Sequence, residues 1–305
     1  MKRRDALKSI AFGTVSLVAG PTLLLSRKSQ AQEAATTAPD LVAVRNGEPD
    51  VMLDQALEAL GGIGRFVPKD ATVVVKPNIG WAREPETGAD TNPLLVKRLV
   101  ELCLNAGAKK VYVFDHTVSA GPECYSKSGI EAAAKAAGAV VALADNVRYY
   151  QAVDIPGGVR LKSAQVHELF LSDAVLINVP VLKHHSGSKA TAALKNLMGV
   201  VWDRQAYHKQ GLHQCIADFC LYRKPHLNIV DAYRVTLSNG PQRARPEDVQ
   251  TMKMLLASTD IVAADAAAVR LLKGSPAEVE HIALAGAAKV GRLDVDALNI
   301  RRIVL

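Results

Sequence analysis

Residues 174–199 read AVLINVPVLKHHSGSKATAALKNLMG, and this stretch decides the expected class of fold. Its first six residues form a mostly apolar run, with the length of a parallel strand that is covered on both faces. Pro180 predicts the end of this strand, because proline has no backbone N–H for a neighbouring strand. The turn at 186–188 then predicts a helix start, whose free N–H groups would face an anion flanked by Lys183 and Lys189.

Short β-rich runs alternate with helical segments along the chain. The β-rich runs lie at 41–45, 72–76, 110–115, 140–144, 174–179, 227–231, 253–257 and 302–305. The helical segments lie at 94–106, 128–137, 260–272 and 276–287. Such alternation is typical of α/β proteins. We expect residues 41–305 to form a single compact α/β domain, with a mostly parallel or mixed sheet and flanking helices.

The N-terminus has the features of an export signal. Arg3 and Arg4 in a basic segment precede a moderately apolar segment at 10–25, which is short for a membrane span. The pattern resembles the twin-arginine signal, and residues 29–31 have the small-x-small form of a cleavage site. We expect a signal peptide at 1–31, a linker at 32–40, the twin-arginine translocase as a partner and a periplasmic location. The alternative is an uncleaved leader that anchors the domain to the membrane.

The basic excess of the chain depends on this leader. The whole chain has a formal net charge of +7, but without residues 1–31 it has 31 basic and 29 acidic residues. A basic stripe interleaved with aromatic residues would indicate nucleic-acid binding, and none is present. We therefore expect no nucleic-acid partner.

The four cysteines show no spacing that predicts a metal cluster. Cys103, Cys124, Cys215 and Cys220 include no C-x-x-C pair. Iron–sulfur clusters of the ferredoxin type need closely spaced cysteines. We expect buried free thiols and no intrinsic iron–sulfur cluster; the alternative, in an oxidising compartment, is one disulfide.

Polar residues follow four of the expected strands. They are Lys76 to Asn78, Asp115 with His116, Lys183 to His185, and Asp231. In open α/β sheets ligands bind beyond the carboxyl ends of the strands. These side chains are therefore expected to meet at one edge of the sheet.

The lysines among these residues predict a pocket for a carboxylate or phosphate, a small anionic ligand. The expected ligand- or cofactor-binding residues are Lys76, Asn78, Lys189, Lys195 and Asn196. In an enzyme, Lys183 and Lys195 would hold the anion while His184 or His185 transfers a proton. The alternative is a solvated helix whose lysines extend along the surface.

The histidines also allow a mononuclear metal site. We expect its ligands to be His185, His208 and Asp231. The spacing matches no established zinc motif. The alternative is a set of hydrogen-bonded loop histidines, so the cofactor stays unknown.

Several motifs resemble, in order, the family of domains of unknown function called DUF362. They are Lys-Pro-Asn at 76–78, Thr-Asn-Pro at 91–93, Ile-Asn-Val-Pro-Val-Leu-Lys-His-His at 177–185, Ala-Leu-Lys-Asn-Leu-Met-Gly at 193–199, Leu-Asn-Ile-Val-Asp at 227–231 and Ser-Thr-Asp-Ile-Val-Ala-Ala-Asp at 258–265. The resemblance implies a domain that works beside redox chemistry, because many members carry a ferredoxin module. This chain resembles the exported members that lack one.

Two functions follow from these observations. The first is an exported protein that binds an anionic small molecule or a metal-bearing cofactor at the strand ends, as a redox-associated enzyme. The second is a non-catalytic periplasmic binding or cofactor-handling protein that serves an iron–sulfur redox partner.

Overall fold

The protein is built around one mixed sheet with helices on both faces, which confirms the expected α/β class. The computed structural model describes residues 38–241 and 243–305, and Ala38–Leu305 forms one compact unit. The strands are β1 (Leu41–Arg45), β2 (Thr72–Pro77), β3 (Lys110–Val113), β4 (Val140–Val141), β5 (Tyr150–Asp154), β6 (Ser163–His167), β7 (Val175–Val179), β8 (Val181–His185), β9 (Lys189–Thr191), β10 (Leu227–Thr236), β11 (Val249–Ser258) and β12 (Ile300–Val304). The helices are α1 (Pro49–Ala59), α2 (Pro93–Asn105), α3 (Gly121–Lys127), α4 (Ile130–Ala136), α5 (Glu168–Leu171), α6 (Ala193–Asn196), α7 (Gln205–Gln210), α8 (Leu212–Tyr222), α9 (Ile261–Leu271) and α10 (Glu280–Ala287).

The main sheet has a parallel half and a mixed half. Its strand order is β12-β1-β11-β10-β7-β2-β3-β4, and β8 pairs with β10 beside this path. All neighbours from β10 to β4 are parallel. In contrast, β11 runs antiparallel to both β10 and β1. The carboxyl ends of β2, β3, β4, β7 and β10 therefore lie at one edge of the sheet.

Two hydrophobic cores cover the two faces of this sheet. Val73 and Val75 of β2 belong to one core, whereas Val74 between them belongs to the other. This follows from the period of two along a strand, which sends successive side chains to opposite faces. Helices α1, α2 and α4 cover the first face, and α8, α9 and α10 cover the second. Burial on both faces explains why the central strands are almost entirely apolar.

The segment after Pro180 differs from the sequence-based expectation. Strand β8 follows Pro180 directly, and β9 returns antiparallel to it, so no helix begins at 186–188. Strand β8 forms because β10 is longer than expected and offers pairing positions as far as Thr236. The prediction of a helix N-terminus after Ser188 was wrong. The following helix, α6, begins at Ala193.

The order of the parallel strands creates a crevice beside β2. The chain runs from β2 to β3 and β4 on one side and then returns to β7 on the other side. Such a topological switch point leaves a crevice beyond the strand ends, where ligands bind in open α/β sheets. Strands β2 and β7 frame this crevice.

Two sequence-based expectations concern the chain ends and the cysteines. The expected signal peptide at 1–31 lies outside the described residues. Across the described part of the chain, no helix is both long and apolar enough to cross a membrane.

All four cysteines are buried and unpaired, and the nearest pair in sequence, Cys215 and Cys220, lies within α8.

Candidate functional site

Lys76 and Asp115 form a buried ion pair at the ends of β2 and β3. The distance between Lys76 Nζ and Asp115 Oδ1 is 2.7 Å, and their side chains are 4% and 2% exposed. Lys76 Nζ also donates to Pro77 O at 2.8 Å and to Asn196 Oδ1 at 3.0 Å. Burial lowers the pKa of Lys76, while Asp115 acts against this change. Asp115 Oδ2 accepts from Ile79 N at 2.6 Å, which fixes the carboxylate to the backbone.

Asn78 connects this ion pair to a second buried lysine. Asn78 Nδ2 donates to Asn196 Oδ1 at 3.1 Å, and Asn78 Oδ1 accepts from Lys183 Nζ at 2.7 Å. Lys183 Nζ also donates to the carbonyl oxygen of Ala89. Burial lowers the pKa of Lys183 to about 8, against the opposing effect of Asp90. The two lysines therefore belong to one hydrogen-bonded network.

Asp90 lies near Lys183, and its two carboxylate oxygens differ in their contacts. Its Oδ1 accepts from Trp81 N at 3.0 Å, whereas its Oδ2 is buried and has no hydrogen-bond partner among residues 38–241 and 243–305. Burial raises the pKa of Asp90 to about 7, while Lys183 acts against this change. A carboxyl group with such a pKa takes up or releases a proton near neutral pH.

Helix α6 supplies Asn196 to this network and is held from the neighbouring helix α9. Asp265 of α9 accepts the N–H groups of Ala193 and Leu194, the latter at 3.1 Å. These N–H groups have no partner within their own helix. Burial raises the pKa of Asp265 to about 7, against the effect of the two hydrogen bonds. Asp265 is thus the anchor of α6.

Lys195 and Arg204 add two further cations beside the network. Lys195 Nζ lies 3.5 Å from Met198 Sδ, and no carboxylate of the described residues pairs with it. Burial, together with the charges of Lys183 and Arg204, lowers the pKa of Lys195 to about 7. Arg204 donates from Nη1 to His116 O at 2.7 Å and from Nη2 to the neighbouring carbonyl.

Gly199, which follows α6, lies directly beside the ion pair of Lys76 and Asp115. A Cβ atom at this position would overlap Asp115 Oδ1 and crowd Lys76 Nζ. The carbonyl oxygen of Gly199 accepts from His116 N at 2.9 Å. Only a residue without a side chain allows the backbone to approach the ion pair this closely.

Of the expected ligand-binding residues, the structure brings Lys76, Asn78 and Asn196 together with Lys183. Lys195 lies close enough to Lys183 for the charge of Lys183 to lower its pKa. Lys189 does not belong to this group, because it lies in β9, is exposed and donates to Glu278 O at 2.9 Å. Lys189 precedes helix α6 and therefore shares no helix face with Asn196.

The two adjacent histidines have different surroundings. His185 Nδ1 accepts from Gly187 N at 3.0 Å and from Ser188 N at 3.2 Å, so this nitrogen stabilises the turn. Burial and the charge of Lys195 lower the pKa of His185 to about 3. His184 Nδ1 is buried and has no hydrogen-bond partner in the described part of the chain. Of the two histidines, His184 is therefore the one whose Nδ1 is not used by these residues.

The three expected metal ligands do not assemble. Asp231 is buried in β10 and accepts from Asn92 N at 2.8 Å and from Tyr233 N at 3.0 Å. His208 is exposed on α7 rather than in the expected loop. Among residues 38–241 and 243–305, no three His, Cys, Asp or Glu side chains form a group that could hold a metal ion. The extension of β10 past Asp231 places this carboxylate inside the sheet rather than at its end.

Two charged residues of the site were not selected from the sequence. Asp90 lies in the loop before α2, directly before the Thr-Asn-Pro motif, and this adjacency was an available signal. Arg204 lies just before α7 and has no neighbouring motif. Its place beside the strand ends results from the path of the chain after α6, which no local pattern indicates.

A cavity of about 310 Å³ adjoins the network at the ends of β3 and β4. Its lining includes Asp115, His116, Tyr125 and Leu143. Asp115 thus contacts the buried lysine on one side and the cavity on the other. His116 is stacked on Trp202, with ring centroids 5.0 Å apart. Among the charged side chains of the network, Asp115 is the one that lines this cavity.

The fold and this site define an α/β protein with a buried, cation-rich polar network at the switch point of its sheet. A sequence model of the family described as "Domain of unknown function (DUF362)" matches residues 73–270. The chain belongs to the DUF362 family. The match includes every residue of the network described above.

Comparisons with individual proteins give more distant similarities. The chain is 29% identical over 249 residues to a thylakoid-associated protein of Synechocystis, covering 74% of this chain and 71% of that protein. A solved structure from Thermotoga maritima is 14% identical, with a TM-score of 0.48, and covers 74% of this chain and 60% of its own. The lactate racemase apoprotein from Thermoanaerobacterium thermosaccharolyticum is 11% identical, with a TM-score of 0.49, and covers 78% of this chain and 57% of its own. The chain spans about three fifths of the length of these two solved proteins.

Proposed function

We propose that this protein binds a small anionic molecule, a carboxylate or a phosphate, in the crevice between β2 and β7. The observation that carries the proposal is the ammonium group of Lys195, which lies beside Lys183 and Arg204 and pairs with no carboxylate of the described residues. A buried cation without a counter-ion is unfavourable, and a bound anion removes this cost.

The balance of charge in the network supports an anion rather than a cation. Its four cations are Lys76, Lys183, Lys195 and Arg204, and its two acids are Asp90 and Asp115. An anion would satisfy donors that the protein leaves unused, since an ammonium group has three and a guanidinium five. In an enzymatic role, His184 would be the proton carrier, because its Nδ1 has no hydrogen-bond partner among the described residues.

Titration calorimetry of the purified full chain with inorganic phosphate and with acetate tests this proposal. We expect saturable binding of one of these anions. Lys183→Met and Lys195→Met should each weaken it about tenfold or more, as expected for losing a charged hydrogen bond. Lys189→Met is the matched control, because this lysine is exposed and outside the network. Equal affinity in all three variants, or no binding by the wild type, would exclude an anion site here.

We further propose that residues 1–31 direct export to the periplasm by the twin-arginine translocase. The support is the Arg3-Arg4 pair before an apolar segment. Replacing both arginines by lysine should retain the protein in the cytoplasm, measured by cell fractionation. Export of this variant at the wild-type level would contradict the route. A redox partner stays part of this proposal, and its test is co-purification of an iron–sulfur protein from the periplasmic fraction.

A further inference from the structure

The three lysines of the network differ in what their ammonium groups contact. Lys76 Nζ is paired with Asp115 and donates to two further oxygens. Lys183 Nζ donates to an amide oxygen and a backbone carbonyl oxygen. Lys195 Nζ has only the thioether sulfur of Met198 as a hydrogen-bonding contact in the described chain. Of these three lysines, Lys195 therefore has the side-chain nitrogen with the fewest hydrogen bonds to the described residues.

The surroundings of Lys195 favour its uncharged amine. Its side chain is largely buried, and the charges that act on it come from Lys183 and Arg204 rather than from a carboxylate. Desolvation and neighbouring cations are the means by which proteins make a lysine nucleophilic at neutral pH. With a pKa of about 7, a large fraction of Lys195 is neutral at pH 7.

The position of Lys195 is also well defined. It lies in α6, between Leu194, whose N–H is held by Asp265, and Asn196, whose side chain is bonded to Lys76 and Asn178. Lys195 is partly exposed, whereas Lys183 is only 3% exposed. A fixed backbone and partial exposure allow a bound molecule to meet the amine in one orientation.

We propose that Lys195 is a nucleophile that forms an imine with a small carbonyl compound carrying an anionic group, such as a 2-oxo acid. This inference rests on the anion site proposed above and names the chemical class of its ligand. The anionic group would lie against Lys183 and Arg204, and the carbonyl carbon would face Lys195 Nζ.

The reaction needs no oxidant, reductant or metal. The lone pair of the neutral amine attacks the carbonyl carbon, forming a C–N bond, and one proton passes from the nitrogen to the carbonyl oxygen to give a carbinolamine. The C–O bond then breaks, the nitrogen gives up its second proton, and the oxygen leaves with that proton as water, so that a C=N bond remains. Overall, one amine and one carbonyl compound give one imine and one water. Asp90 is the candidate for moving these protons, because its Oδ2 has no hydrogen-bond partner among the described residues and its charge acts on Lys183.

Borohydride trapping with the purified full chain tests the inference. Pyruvate has both an anionic group and a carbonyl, acetone has only the carbonyl, and acetate has only the anionic group. Dihydroxyacetone phosphate replaces the carboxylate by a phosphate and so distinguishes the two anions. We expect one stable adduct per chain at neutral pH with pyruvate or with the phosphate, on Lys195 by peptide mass spectrometry, and none with acetone at equal concentration.

Two variants complete the design. Lys195→Arg should lose the adduct, whereas Lys209→Arg, at an exposed position on α7, should retain it. Mapping the adduct on the wild type keeps the test valid if Lys195→Arg fails to fold. An adduct on Lys183 or on exposed lysines overturns the inference, as does the absence of any adduct. If calorimetry shows that acetate or phosphate binds but neither carbonyl compound forms an adduct, the anion site is supported and the proposal that Lys195 is a nucleophile is wrong. If neither binding nor an adduct occurs, both proposals fail.

Discussion

Two ion pairs of nearly equal length lie in opposite environments of this protein. Arg98 and Asp54 pair at 2.8 Å on the outer surface of α2 and α1, where about a third of each side chain is exposed. Lys76 and Asp115 pair at 2.7 Å in the crevice, where almost nothing is exposed. Exposed pairs contribute little because water and salt screen them, whereas a buried charge without its partner is costly. The distance between the charged atoms alone therefore does not show which pair contributes more to the stability of the protein.

The largest expected effect comes from breaking the buried pair. Asp115→Asn leaves the Lys76 ammonium buried without a counter-charge and should lower the free energy of unfolding by about 3–5 kcal/mol. The matched surface change, Asp54→Asn, should cost about 0–1 kcal/mol. Urea unfolding at pH 7 measures both. Similar losses of unfolding free energy for the two variants would mean that burial does not change how much an ion pair contributes to stability.

A smaller loss is expected when the ion pair is crowded rather than broken. Gly199→Ala adds a Cβ that overlaps Asp115 Oδ1, and overpacking of this kind should cost about 1–3 kcal/mol. Gly64→Ala is the control, because a Cβ there meets nothing within 4 Å. Thermal unfolding at a fixed pH compares the two. A Gly199→Ala variant as stable as Gly64→Ala would show that the contact with the ion pair relaxes freely.

The smallest effect is a difference in pH dependence caused by Lys195, which has no acidic partner in the described part of the chain. The unfolded chain keeps this proton up to the ordinary lysine pKa of 10.5, whereas the folded protein releases it near 7. Between these values the unfolded state binds more protons, so the free energy of unfolding rises with pH. Wild-type protein should therefore gain about 1–2 kcal/mol more than Lys195→Met between pH 7 and pH 9. Parallel pH profiles, measured by urea unfolding, would mean that Lys195 is solvated.

The sequence predicted the strand ends well because local patterns specify them. The apolar runs before Lys76 and Asp115 have the length of buried parallel strands, and both polar residues lie where expected. The motif at 193–199 also placed Asn196 in the site. These features depend on the period of side chains along one segment and on the common direction of parallel strands.

The features that the sequence did not predict depend on long-range pairing. Lys189 was expected on a helix, but β8 finds a partner in the extension of β10, and the returning strand β9 carries Lys189 to the surface. The same extension places Asp231 inside the sheet, where backbone N–H groups of Asn92 and Tyr233 use its carboxylate. A strand that continues past its expected end leaves no mark in the local pattern.

The contacts of Lys76 with Asn196, and of Lys183 with Asn78, have a consequence for the order of folding. They join positions 120 and 105 residues apart in the chain. Closing loops of this length costs entropy before any contact compensates for it, so such contacts form late and slow the folding of the chain. In a folding intermediate with β2 and β3 paired but α6 undocked, Gly199 would not lie beside the ion pair. The hydrogen bonds of Asn196 to Lys76 and Asn78 would also be absent, so the site would not exist. Export of an already folded chain, as the twin-arginine route requires, would deliver this site complete.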